Sequence, residues 1–282
     1  MDKQAQLEIA QARLGKVIAT WNNGLAGITG HDCGEIAHVN GILSTLGIDK
    51  GFFVDIAASD GVAGSCTKPL LENGWGGLAF EMDPDYFSQL SFTWADFPAA
   101  KLARTRVIPR NVGVLLRGFE VPADFDFLNL DIDSYDLKVL EAMLAEDFRP
   151  KLISMEINEK IPPPVYFTVL FDENHYWRLD HFFGCSLAAA ASSLKKSGYI
   201  LESLQYNNAM FIRSDVASGF FADRDVEEAY NSGYRDKEDR HTLFRHNRNT
   251  EEVFSLTPQE IVEFYNNMFA KYKGLYELRA ML

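Results

Sequence analysis

The stretch Gly51-Phe52-Phe53-Val54-Asp55-Ile56-Ala57-Ala58-Ser59-Asp60-Gly61-Val62-Ala63-Gly64-Ser65 decides the fold. It begins as a short apolar run that ends in an acid and small residues, the pattern of a buried strand followed by a tight loop. Residues 64–73 then read as a helix that stops at Asn73-Gly74. Strand, loop of small residues and helix open a doubly wound sheet, which binds ligands at the carboxyl ends of its strands. The loop is neither GxGxxG nor GxxxxGK, so pyrophosphate cradling is poorly supported.

Working outward, Gly76–Met82 is a second strand, and Asp83-Pro84 starts the next helix with Pro in the first turn. Residues 104–108 and 111–115 give a third strand region, and 125–131 a strongly apolar fourth strand. A helix over 136–144, a strand over 152–157 and a helix over 185–197 follow. Strands at 199–204 and 208–213 close a tight hairpin at Asn207-Asn208. The alternation predicts an α/β fold with a mostly parallel sheet that ends in an antiparallel hairpin. Residues 2–22 carry apolar side chains at helical spacing, and a short helix is expected at 34–46. From about 222 onward the chain reads as helical, with Thr257-Pro258-Gln259-Glu260 as a cap. The expected organisation is an N-terminal helical extension (1–48), a catalytic core (49–214) and a C-terminal helical extension (215–282).

The composition, 47% hydrophobic and 24% charged, is that of a globular chain. A formal net charge of −13 argues against a nucleic-acid grip or docking on anionic lipid. The three cysteines, Cys33, Cys66 and Cys185, make no disulfide framework and contain no CxxC pair. With no signal-type stretch and no membrane-spanning run, a cytoplasmic protein is expected.

Glu81 ends the second strand about 20 residues past the first loop, where an acid can accept hydrogen bonds from ribose hydroxyls. With it, Gly51–Pro84 resembles the opening of FkbM-type S-adenosylmethionine-dependent methyltransferases, whose members read VDIGANDG, then SNT, then a strand ending in an acid. Phe125–Leu144 and Pro150–Asn158 resemble the family's fourth and fifth strand blocks. Gly184–Leu187, Gly198-Tyr199 and Asn207–Phe211 resemble its C-terminal hairpin block. The likeness covers residues 50–213 and leaves both ends unplaced. It implies a Rossmann-like class I methyltransferase fold, with S-adenosylmethionine held by Asp55, Ala57, Ser59, Asp60, Gly61, Ser65, Thr67, Glu81 and Asn111. Ala57 stands where the family has Gly, Ser59 and Cys66 where it has Asn. Ala57 adds a methyl where backbone and methionine moiety should meet.

Asn129, Asp131 and Asp133 recur at period two on the fourth strand, and Glu156 and Asn158 on the fifth. Buried carboxylates are costly unless paired, hydrogen-bonded or metal-bound. Asp131, Asp133, Glu156 and Asn158 therefore form a candidate site for Mg2+ or Mn2+, with helix and loop capping by the two aspartates as the alternative. Methyl transfer to an oxygen needs alignment and a proton acceptor. His181 is the first choice for the base and Asp131 the second, with His175 as a further alternative; His241 and His246 read as solvated. Tyr166, Phe167, Tyr176 and Trp177 in the Pro-rich connection could stack on a sugar or other ring. The stripe Ile261, Phe264, Tyr265, Met268, Phe269 and Tyr272 suits core packing or a homo-oligomer contact through the C-terminal helices. The leading expectation is an O-methyltransferase acting on a hydroxyl of a sugar, glycan precursor or natural product. An NAD-dependent oxidoreductase and a non-catalytic binding protein of the same fold are the alternatives.

Overall fold

A computed structural model describes residues 33–281. The expected helix over 2–22 lies outside these residues. The chain runs α1 (Glu35–Thr45), β1 (Phe52–Ile56), α2 (Lys68–Glu72), β2 (Gly76–Glu81), α3 (Pro84–Thr93), β3 (Ala100–Arg104) and α4 (Val112–Gly118). Then follow β4 (Phe127–Leu130), α5 (Asp136–Ala145), β5 (Leu152–Glu156), β6 (Val165–Val169), α6 (Leu187–Lys196), β7 (Tyr199–Gln205) and β8 (Asn208–Arg213). The remainder holds α7 (Ser214–Ala217), α8 (Val226–Tyr230), a π turn (Asn231–Arg235), α9 (Arg240–Leu243), a 3-10 segment (Arg245–Ser255), α10 (Pro258–Met268) and β9 (Tyr276–Ala280).

The main sheet has the order β3-β2-β1-β4-β5-β8-β7. Its first five strands pair in parallel, and β8 alone runs against its two neighbours. This is the class I methyltransferase arrangement: a Rossmann-like sheet that reverses strand order at β1/β4, with one antiparallel strand near its edge. Successive residues along the strands bury into opposite cores. Val54, Ile56, Leu128, Leu130, Ile153 and Met155 pack on one face with α4, α5 and α6. Phe53, Ala79, Phe127, Leu152, Met210 and Ile212 pack on the other with α1, α2 and α3. Helices on both faces leave the carboxyl edge of β1, β2, β4 and β5 for polar chemistry. Among the described residues no helix is long and apolar enough to cross a membrane.

Four expectations need correction. The third strand lies at Ala100–Arg104, and 112–118 is a helix rather than strand. The buried residues of that segment, Val112 and Leu116, stand four apart, which is helical spacing. The fourth strand stops at Leu130, so Asp131 and Asp133 belong to the following loop, and Asp133 has a left-handed φ of 56°. The Pro-rich connection holds a strand, β6, with all five residues buried. The C-terminal segment is not helical throughout, because β9 pairs antiparallel with β6. β6 carries a local strand signal in Val165-Tyr166-Phe167-Thr168-Val169, which the reading of this segment as a connection passes over, whereas Tyr276–Ala280 is fixed as a strand by pairing with it. The capping box at Thr257 and Glu260 forms as expected.

Candidate active site at the carboxyl edge of the sheet

The loop after β1 turns twice through left-handed backbone at non-glycine residues, Ala57 (φ 73°) and Ser59 (φ 53°). Such residues cost about 1–2 kcal/mol each, and strain of this kind gathers at functional sites. Ala57 keeps the glycine-like conformation despite its methyl. The amides of Ala57 and Ala58 both donate to the carbonyl of Phe80, which ties the loop to β2. Glu81 is buried and clamps both sides: Ser59 N donates to Oε2 at 2.9 Å and Asp83 N to Oε1 at 2.7 Å. Each carboxylate oxygen keeps a further lone pair for a hydroxyl. Asp60 is turned inward, its Oδ1 accepting from Val62 N and Ala63 N, so it shapes the loop.

Beneath the loop a polar row crosses the sheet. Asp55, Asn129 and Ser154 stand in register on β1, β4 and β5. Asn129 donates to Asp55 Oδ1 at 2.9 Å and Thr67 Oγ1 to Oδ2 at 2.5 Å, with Ser65 Oγ 3.1 Å from Thr67 Oγ1. Burial raises the Asp55 carboxyl above its usual range, and the bonds from Asn129 and Thr67 work against that rise. Asn111 is engaged locally: Ile108 N donates to its Oδ1, and its Nδ2 donates to Arg106 O.

The three carboxylates of Asp131, Asp133 and Glu156 do converge, each offering an oxygen within 4.8 Å of the others. Asp136 shapes their loop by accepting from Ile132 N and Ser134 N. Burial, then the neighbouring Asp136, push Asp131 up to about 7, while the adjacent Glu156 carboxyl pulls the other way. Burial and then Asp131 raise Asp133 to about 7, against the pull of Lys160. Glu156 rises well above the carboxylate range, through burial first and Asp131 second. Glu156 Oε1 accepts from Asn207 Nδ2, but the buried Oε2 has no hydrogen-bond donor among the described residues. Asn158, two residues past Glu156, has a buried Oδ1 likewise without a donor among the described residues, while its Nδ2 donates to the carbonyls of His181 and Phe183 at 2.9 Å.

That bond brings His181 to the end of β5. Burial, then Lys160, lower its pKa, and Asn249 opposes this by hydrogen bonding. His175 is buried edge-on to the rings of Phe182 and Tyr272, as part of an aromatic core. Tyr166 and Phe167 are buried in β6 and do not face a ligand cleft. Tyr176 remains half exposed, on a segment held by Arg106, which donates to Tyr135 Oη, Glu173 O, Tyr176 Oη and His175 O. The stripe of α10 packs inside the chain, with Phe269 against Phe167 and Phe182, and Tyr272 stacked on Phe182.

Sequence reasoning missed Asp136, Arg106, Glu159 and Lys160. Lys160 is the least expected: its ammonium is buried, 3.1 Å from Glu159 Oε1 and 4.1 Å above the Phe183 ring. Two charged residues between Ile157 and Ile161 were the available signal, since charges in an apolar run are buried only when paired.

No protein-family profile matches the chain, and no curated protein matches it. Among solved structures it is similar to monomeric WbdD, with a TM-score of 0.44 and 10% identity over 67% of this chain and 43% of that one. This chain thus spans under half the length of WbdD. It is similar to the N-terminal domain of EvdMO1, crystallised with SAH and D-fucose, at TM-score 0.43 and 11% identity over 66% of this chain and 84% of that one. A third likeness is to magnesium protoporphyrin IX methyltransferase from Synechocystis with bound SAM, at TM-score 0.38 and 10% identity over 64% and 80% of the two chains.

Glu81→Ala should lower S-adenosylhomocysteine affinity by about 1–3 kcal/mol through loss of a charged acceptor. Calorimetry reads this, and unchanged affinity in the folded variant removes Glu81 from the ligand site.

Proposed function

We propose that the chain is an S-adenosylmethionine-dependent O-methyltransferase that holds its acceptor hydroxyl at Asp131, Asp133 and Glu156. The observation that carries this reading is the juxtaposition at one sheet edge. A strained small-residue loop clamped by Glu81 follows β1, and converging carboxylates with an orphaned buried oxygen sit in the loop after β4 and at the end of β5. The residues suit both groups. The loop places small side chains beside Glu81, whose oxygens can still accept ribose hydroxyls. The carboxylates offer the hard oxygen donors that Mg2+ or Mn2+ takes, and Glu156 Oε2 lacks the partner that a buried oxygen requires.

When bound, S-adenosylmethionine supplies an electrophilic methyl group, and a divalent cation supplies charge that acidifies a hydroxyl. The protein's residues do the rest. Asp55, Asn129, Thr67 and Ser65 hold the floor of the loop, and Glu81 fixes its height against β2. Asp136 fixes the loop that carries Asp131 and Asp133. His181, kept neutral near pH 7 by burial and Lys160, is the proposed proton acceptor, with Asp131 as the alternative. Asn158 anchors the backbone of His181 to the end of β5. The hydroxyl belongs to a sugar, glycan precursor or natural product.

Titration calorimetry with S-adenosylhomocysteine and with NAD tests the reading. Binding of the first and not the second is expected, because the loop lacks the glycine fingerprint of dinucleotide sites. NAD binding without S-adenosylhomocysteine binding would overturn it.

A further inference from the structure

The four residues that follow Glu156 decide how firmly Glu156 and Asn158 are held. Ile157–Lys160 leaves the sheet as irregular backbone, yet its residues are nine-tenths or more buried. Its inner part is tied to the core: Ile157 N donates to Asn207 O and Asn158 N to Cys185 O, both at 2.7 Å. Its outer part is tied to the C-terminal segment. Tyr230 Oη donates to Glu159 O at 2.5 Å, and Tyr265 Oη donates to Lys160 O at 2.6 Å. Asn247 Nδ2 donates to Glu159 Oε1 at 2.5 Å and to Tyr234 Oη at 2.9 Å. Three C-terminal elements thus reach two consecutive residues of one loop. Buried carbonyls need such partners, and these two receive theirs from tyrosines on α8 and α10.

We infer that Tyr230 and Tyr265 are positioning residues, and that the C-terminal segment forms the outer wall of the catalytic site by fixing the loop that carries Asn158 and follows Glu156. The inference rests on the reading of the carboxylates as cation ligands, and it assigns the C-terminal segment a task that reading does not. Groups hydrogen-bonded directly to metal ligands are worth roughly 10- to 100-fold in affinity; these tyrosines act one step further out, through the carbonyls of Glu159 and Lys160, and belong at the lower end of that range. The tyrosine rings also pack in the core, so Tyr→Phe removes the hydroxyl and keeps the packing.

The test uses the full chain, wild type and Tyr230→Phe/Tyr265→Phe, with the single variants in reserve should the double not fold. Mn2+ binding, S-adenosylhomocysteine binding and amide hydrogen exchange are measured on each. The expected result has three parts: a roughly 10-fold rise in the Mn2+ dissociation constant, faster exchange at Ile157, Asn158 and Ile161, and an unchanged S-adenosylhomocysteine constant. Mn2+ affinity equal to wild type, or a parallel loss of both ligands, overturns the inference. A wild type that binds no Mn2+ removes the cation reading instead. Exchange then decides the positioning claim by itself, and unaltered protection at those three amides overturns it.

Discussion

Asp131→Asn should cut turnover by about 1,000-fold while making the ligand-free protein more stable at pH 8. On the proposed cation reading, the first effect follows from losing one of three converging carboxylates, since a cation's stabilisation of developing charge is worth several kcal/mol. The second follows from linkage. The folded pKa of Asp131 is raised from 3.8 to about 7, so the folded state holds its proton more tightly than the unfolded chain does. The stability this represents is fully present below about pH 4 and is lost as pH rises through 7. Asp133 and Asp136, also raised to about 7, act in the same direction. At pH 8 the ligand-free cluster therefore opposes folding. Replacing Asp131 with a neutral isostere relieves about 2 kcal/mol, once solvent screening at the half-buried group is allowed for. Mn2+ should stabilise the wild type more at pH 8 than at pH 5 and should not rescue the variant. Urea unfolding at the two pH values, with turnover assayed in chelator and in Mn2+, checks each part. Full turnover in excess chelator, or identical pH profiles of stability for the two proteins, would remove the cation from this account.

The parallel core was legible because its signals are local. Phe53-Val54-Asp55-Ile56 and Leu128–Leu130 are short apolar runs bounded by small or acidic residues, and helices between them left only a crossover topology. Glu81 and the carboxylates were legible for the same reason, since acids at strand ends interrupt apolar runs. β9 was not, because its residues become a strand through pairing with distant β6, while the β-rich run Val165–Val169 was legible but masked by the prolines before it. The period-two argument singled out two aspartates that do converge with Glu156, but on incomplete grounds. Asp131 and Asp133 are brought together by the loop that Asp136 caps, and not by strand projection. The charges of Glu159 and Lys160 in an apolar run hinted at buried pairing, but the partners that hold their loop were invisible, because nothing near residue 160 in sequence announces contacts at 230, 247 and 265.

Gly61 is the residue of the first loop on which the fold itself depends most. Its φ is 72°, and a Cβ there would stand 2.5 Å from Leu90 Cδ1 and 2.6 Å from Trp94 Nε1. Both neighbours belong to the buried core under α3, and Trp94 Nε1 donates to Gly61 O at 2.8 Å. Alanine would therefore meet two costs. Left-handed backbone costs about 1 kcal/mol for a residue with a Cβ. Moving Leu90 and Trp94 out of a packed core costs a further 1–3 kcal/mol or so. Gly61→Ala should thus lose about 2–4 kcal/mol, and the shift would carry Asp60 and Ser59 away from Glu81, weakening S-adenosylhomocysteine binding at least tenfold or so. Gly219 supplies the control: its φ is 86°, and nothing lies within 4 Å of a Cβ built there. Gly219→Ala carries the backbone cost without the clash and should lose only about 1 kcal/mol. Paired urea denaturation of the two variants separates the terms. If Gly61→Ala costs no more than Gly219→Ala, the loop does not depend on close packing against α3, and Gly61 is there for its backbone alone.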